Sequence, residues 1–181
     1  MEYISDMQAG KDFSTLFVAG RMSIKTQFDS NKGQYVIVKM EDDTDTESEA
    51  SSLKKRSLDE MKVFLDMTQF FKEGKSDVIS SDAEQGIVMT VDSQGYLYAT
   101  YPGGMVIVDQ EGDLIANVSI DVDVKIDGIE TSQADIVPKA IVIGNDGYLY
   151  IATKTMLLRW RVKSKALNHP TNLIVPKRKS T

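Results

Sequence analysis

The stretch "GYLYAT" (95–100) returns some fifty residues later as "GYLYIAT" (147–153), each copy following an acidic turn, "VDSQ" first and "GND" second. In the first copy Tyr96 and Tyr98 fall on one face of an extended strand, and Leu97 and Ala99 on the other. In the second, Tyr148 and Tyr150 alternate with Leu149 and Ile151. Apolar or aromatic groups on both faces are what a strand needs when its sheet is packed between two others. Gly95 and Gly147 stand where a turn enters the strand, and a positive φ there is cheap only for glycine. The repeat is a packing solution, written twice.

Around the first copy, "GIVMTVD", "GYLYATY", "GMVIVD" and "LIANVSI" read as four strands separated by "SQ", "PG" and "QEGD". Four short antiparallel strands joined by tight turns make one blade of a β-propeller. The second copy offers "KAIVIG", "GYLYIAT" and "TMLLRWRVK", with "TNLIVP" (171–176) as a candidate fourth strand. Between them, 121–137 reads as an interblade loop. It stretches the repeat slightly beyond the roughly 40–50 residues usual for propellers. Upstream, "STLFVAG" (14–20), "SIKTQFD" (23–29) and "QYVIVKM" (34–40) are β-rich, the last two joined by the turn "SNKG".

Residues 41–57 form a charged, Ser-rich insertion with no hydrophobic period. The segment 57–74 is ambiguous. Ser57 and Glu60 have capping-box spacing, and Leu58, Met61, Phe64, Leu65 and Phe71 approximate a helical face. "MKVFLDM" also suits a strand, and the repeat context favours a strand at 61–67 followed by a turn of helix. The expected architecture is all-β, a single partial β-propeller of about three four-stranded blades, in units near 1–67, 86–120 and 138–176.

The 181 residues have the length of one domain. With no cysteine, disulfides, thiolate zinc sites and cysteine nucleophiles are excluded. "MEYISDMQAGKDF" lacks the basic and apolar regions of a signal peptide, and no run of eighteen apolar residues occurs. A soluble cytoplasmic protein without membrane contact is the expectation. The net charge of −6 argues against nucleic acid as a partner. "EDDTDTESE" (41–49) reads as a solvated loop, lacking the ligand spacing and central glycine of an EF-hand.

Asp92 and Asp146 precede the hairpin glycines, where carboxylates bond the backbone two residues on. His169, the only histidine, has no Ser or Asp constellation around it and reads as a surface or turn residue. "YPGG" (101–104) is a turn, lacking the Lys and helix of a phosphate loop. On the strand around Trp160, Leu158, Trp160 and Val162 share one face, while Arg159, Arg161, Lys163 and Lys165 share the other. Trp160 is expected in the core. The basic stripe reads as a solvent-facing edge guard, or as a contact for an acidic partner such as the chain's own 41–49 segment.

"VDSQGYLYAT", "GGMVIVDQEGDLIANVSI" and "PKAIVIGNDGYLYIATKTMLLRWRVK" together resemble the closing blades of the regucalcin–gluconolactonase family. The resemblance covers roughly 86–163; "GKDFSTLFVAG" and "KVFLDM" are similar to upstream hairpins of that family. It implies half of a six-bladed ring that holds one divalent cation, usually calcium, on its axis, and hydrolysis of sugar lactones or related esters. A metal that polarises the carbonyl and a ligating Asp acting as acid–base group would carry that chemistry.

The sequence departs from the family at the ligands. No counterpart of the first-blade Glu is present, and "EYISDMQA" lacks the family's Asn. Gln85 occupies the position of the family's ligand Asp, in "SDAEQGIVMTVD". Asp82 or Glu84 would have to replace it, Asp82 also as acid–base group. Three blades cannot close a ring. The chain is therefore expected to belong to a longer product, to pair with a second copy, or to be covered by another subunit. Two functions stand open: a calcium-dependent lactone or ester hydrolase, and a non-catalytic binding or scaffold propeller.

Overall fold

The computed structural model describes residues 3–11, 15–23, 33–41, 62–73, 86–120, 125–126, 129–130 and 136–167. Strands dominate, and among the described residues they form three antiparallel sheets of four, four and three strands plus one small hairpin. The first sheet runs β1 (Tyr3–Ala9), β2 (Thr15–Ser23), β3 (Gly33–Glu41) and β4 (Lys62–Asp66), followed by the short helix α1 (Thr68–Glu73). The central sheet runs β5 (Met89–Val91), β6 (Leu97–Tyr101), β7 (Gly104–Val108) and β8 (Leu114–Ser119). The hairpin β9 (Lys125–Ile126) and β10 (Ile129–Glu130) lies within the stretch expected to be loop. The third sheet runs β11 (Ala140–Ile143), β12 (Tyr148–Ala152) and β13 (Leu157–Arg161).

Each sheet is an up-and-down meander, with neighbours in sequence paired as neighbours in space. Among the described residues no sheet closes on itself. The sheets stack face to face, and β5 of the central sheet touches both β1 and β11, so the first strands lie side by side along one line. One core fills the space between the first and central sheets, with Phe17, Ala19 and Ile37 against Met89, Leu97, Ala99 and Val106. Phe70 and Phe71 of α1 close it, Phe70 stacking on Tyr101 and Phe71 on Tyr35. A second core lies between the central and third sheets, with Tyr98 and Met105 against Ile141, Ile143, Leu149 and Ile151.

The repeated hairpin behaves differently in its two settings. Every residue of β6 is buried, as a strand between two sheets requires. In β12 only Leu149 and Ile151 are buried, and the tyrosine face is half-covered. Gly95 and Gly147 both adopt positive φ (95° and 81°), so the turn chemistry is shared. At the other end of β6, the Tyr101 side chain lies over its cross-strand partner Gly104, where a Cβ would collide with the ring, and its hydroxyl donates to Asn117 of β8 at 2.6 Å.

Two strand readings are corrected. β2 runs unbroken from Thr15 through Gly20 to Ser23 and pairs with β3 as far as Ser23–Gly33, so "TLFVAG" (15–20) and the start of "SIKTQFD" are one strand. The rest of the expected strand 23–29 lies outside the described residues. β1 was not foreseen, because a bulge at Ser5 breaks its alternation and puts Ile4 and Met7, three apart, on the same face. The strand at 61–67 with helix beyond is present as β4 and α1.

Leu97 is fully buried in the strand that both cores share, whereas Leu157 is 70% exposed. Leu97→Ala is expected to cost about 3 kcal/mol, and Leu157→Ala no more than about 0.5, in urea unfolding of the purified chain.

Candidate functional site

Three aspartates at turns organise the polar chemistry. Asp92 ends β5 and is fully buried. Its Oδ1 accepts the backbone N–H groups of Gln94 (2.8 Å) and Tyr96 (2.9 Å), and its Oδ2 accepts the Tyr98 hydroxyl at 3.4 Å. The Tyr98 hydroxyl also shares a 3.0 Å hydrogen bond with the buried Ser164. Burial pushes the Tyr98 hydroxyl above the ordinary phenol value, and the Asp92 carboxylate adds to the rise. Asp109 does the same work at the β7–β8 turn, accepting from Glu111 and Asp113.

The second hairpin solves the problem from a different position. Gly144 takes the place of Asp92 in the turn: its N–H donates to Tyr148 as that of Asp92 donates to Tyr96. The carboxylate comes instead from Asp146, which accepts the Tyr148 N–H at 3.2 Å and the Tyr150 hydroxyl. That hydroxyl is the main cause holding the Asp146 carboxyl below its ordinary value. Both aspartates thus bond the backbone two residues on, as expected, and both anchor a repeat tyrosine.

The chain after β13 is drawn into this polar end. Ser93 N–H donates to Lys165 O at 2.9 Å, and Ala166 forms a bridge with Asp92. Ser164, Tyr98 and Asp92 therefore staple the third sheet's exit to the central sheet. A lone buried acid with every oxygen occupied, a phenol and a hydroxyl make a structural tie rather than a nucleophile with its base.

At the line of first strands, β1 crosses β5 closely. A Cβ on Gly86 would lie 2.5 Å from the Ser5 Cβ, so only glycine allows this approach. Asp6 Oδ2 accepts the N–H of Met89 at 2.6 Å, while Oδ1 accepts that of Met7 at 2.8 Å. Ser5 Oγ is buried with no hydrogen-bond partner among the described residues. Asp82, Glu84 and Gln85 lie immediately before Gly86 in the chain but outside the described residues, as does His169. Among the described residues no three of His, Cys, Asp and Glu converge to hold a metal. Asp6 is committed to backbone amides and Ser5 is neutral, so the described residues here do not fit a hard dication.

The third sheet carries the exposed features. Arg159 and Arg161 share the outward face with Tyr148, Tyr150, Val142 and Leu157, and Arg159 sits over the Tyr148 ring at 5.0 Å. Leu158 and Trp160 share the inward face, as the alternation requires. Trp160 is not core, however. It is 44% exposed, because β13 is the edge strand of its sheet among the described residues. Beside it a cavity of about 320 Å³ opens between β8 and β13, lined by Ser119, Ile120, Leu149, Ile151, Leu158, Arg159 and Trp160. Residues 42–49, the acidic candidate for the basic stripe, lie outside the described residues; Glu41 at their edge is 2.7 Å from Lys39.

No helix among the described residues is long and apolar enough to cross a membrane. No family model matches the chain, and no curated protein matches it. Sequence reasoning missed Ser5, Asp6 and Ser164. The bulge hid the first two, and nothing local marks a serine whose partner, Tyr98, lies in another sheet.

Asp92→Ala strands two part-buried N–H groups and leaves the Tyr98 hydroxyl with Ser164 alone, and should cost about 2 kcal/mol in urea unfolding. Asp146 tests the pH dependence. Its folded pKa lies below its unfolded one, so its stabilisation is present above the ordinary carboxylate range and is lost as pH falls through the lowered value. Tyr150→Phe should flatten the acid limb of stability measured from pH 5 downward. An unchanged acid limb would count against the tie.

Proposed function

We propose that this chain is part of a β-propeller, about half of a six-bladed ring, and that it acts as a binding or scaffold module through a partner that completes the ring. The observation that carries this reading is the outward face of the third sheet. The same hairpin that is buried on both faces in β6 is covered on one face in β12, leaving Val142 (56%) and Leu157 (70%) exposed. On the first sheet's outward face Ile4, Met7, Leu16 and Val63 are exposed, around Val18, Val36 and Val38, which are buried. Both end faces of the stack carry exposed apolar side chains, those of the third sheet set among Arg159 and Arg161, and a second copy or another subunit would cover both.

The alternative reading is a calcium-dependent hydrolase of small lactones or esters, by resemblance to the gluconolactonase family. Ser5 Oγ, without a partner among the described residues at the crossing with Gly86, favours a polar ligand at that end. Asp82 and Glu84 would supply the charge there, and Gln85 would not. The described residues do not fit the cation by themselves, so no catalytic step is assigned.

Sedimentation velocity across a concentration series tests the first reading. A dimer that Val142→Asp with Leu157→Asp dissociates is expected; a well-folded monomer at every concentration would overturn the second copy as the ring's completion. Thermal unfolding with and without millimolar calcium tests the alternative. Saturation at a hundredfold over Kd adds about 2.7 kcal/mol, a rise in Tm of roughly 5–10 °C. A calcium-specific rise abolished by Asp82→Ala would favour the hydrolase; no shift would remove it.

A further inference from the structure

The first and central sheets each carry a fourth strand outside the third: β4 beside β3, and β8 beside β7. The third sheet ends at β13 among the described residues, and its outer edge is the one place where the repeat is incomplete. An uncovered strand edge presents a row of backbone donors and acceptors and invites pairing. Beside that edge lies the cavity of about 320 Å³, walled by apolar side chains of β12 and β13, by Arg159 and by the end of β8. This is where the inward side chains of a fourth strand would insert. Trp160 stands at its mouth, half-exposed.

We propose that the edge of β13 and the Trp160 cavity form a strand-accepting site, and that its occupant is the chain's own 171–175 segment, "TNLIV". Three observations select this occupant. Fourteen residues follow Leu167, and they contain one apolar, β-branched run of strand length, bracketed by Pro170 and Pro176. The run carries no charge, and apart from Ser119 and Arg159 the residues that line the cavity are apolar. The chain leaves β13 pinned at Ala166 against Asp92, at the end of β5. From Ala166 the five steps to Thr171 span up to about 17 Å, of the same order as the three strand spacings, about 15 Å, from β11, which lies against β5, to a strand outside β13. The reading does not depend on how the ring is completed. It assigns the edge to the chain itself rather than to a partner.

Trp160 is the only tryptophan, so its fluorescence reports on the site directly. In the full chain, a blue-shifted emission and weak acrylamide quenching are expected, independent of protein concentration. A stop after Leu167 should red-shift the emission and raise the Stern–Volmer constant. A synthetic peptide of residues 168–181 should reverse both changes saturably. Leu173→Asp with Ile174→Asp, which spoils both faces of the strand in the full chain, should reproduce the truncation and serves if the truncated chain fails to fold. Equal quenching of Trp160 in the full chain and the double variant would overturn the proposal. Shielding that grows with protein concentration would assign the edge to a second copy and overturn it as well.

Discussion

Everything in this molecule depends on β6, inside the central sheet, being dry on both faces. Leu97, Ala99 and Tyr101 look toward the first sheet, and Tyr98 and Thr100 toward the third, with no residue of β6 left in water. Burying a strand on both faces removes the usual escape for polar groups, so each one needs an internal partner. Thr100 shows the consequence. Its hydroxyl donates to Val88 O at 3.1 Å and accepts from Val88 N–H at 3.3 Å, serving both backbone groups of one residue outside β5.

The same constraint explains the turns. A fully buried Asp92 is tolerated because its oxygens accept two backbone N–H groups and a phenol. That converts a costly charge into the fixed point from which the hairpin, Ser164 and the exit of the third sheet are hung. The Asp6 carboxylate does a comparable service between the first and central sheets, accepting the N–H that opens β5. The sheets are stacked by apolar contact and registered by carboxylates.

The all-β meanders were legible in the residues because alternation and turn glycines survive in a single sequence. "GYLYAT" and "GYLYIAT" announced two copies of one hairpin, with glycines at positive φ and aspartates bonding two residues on. Legibility failed where the period was interrupted or where exposure depends on a neighbour. The bulge at Ser5 scrambled β1, and with it Asp6. Trp160 faces inward as its alternation says, yet stays half in water because the strand beyond it is a matter of sheet membership. The candidate ligands Asp82 and Glu84 were chosen by resemblance, and no local physical signal places their carboxylates.

By itself the sequence determined the strands, the hairpin turns and the alternation of faces, because these are set by neighbours one to four residues apart. Only the tertiary structure decided which of two near-identical hairpins would be buried twice over. It also decided which aspartate would be sealed inside, and that Ser164 would answer to Tyr98. Those outcomes follow from which sheet lies against which, and burial is a property of the stack rather than of any strand.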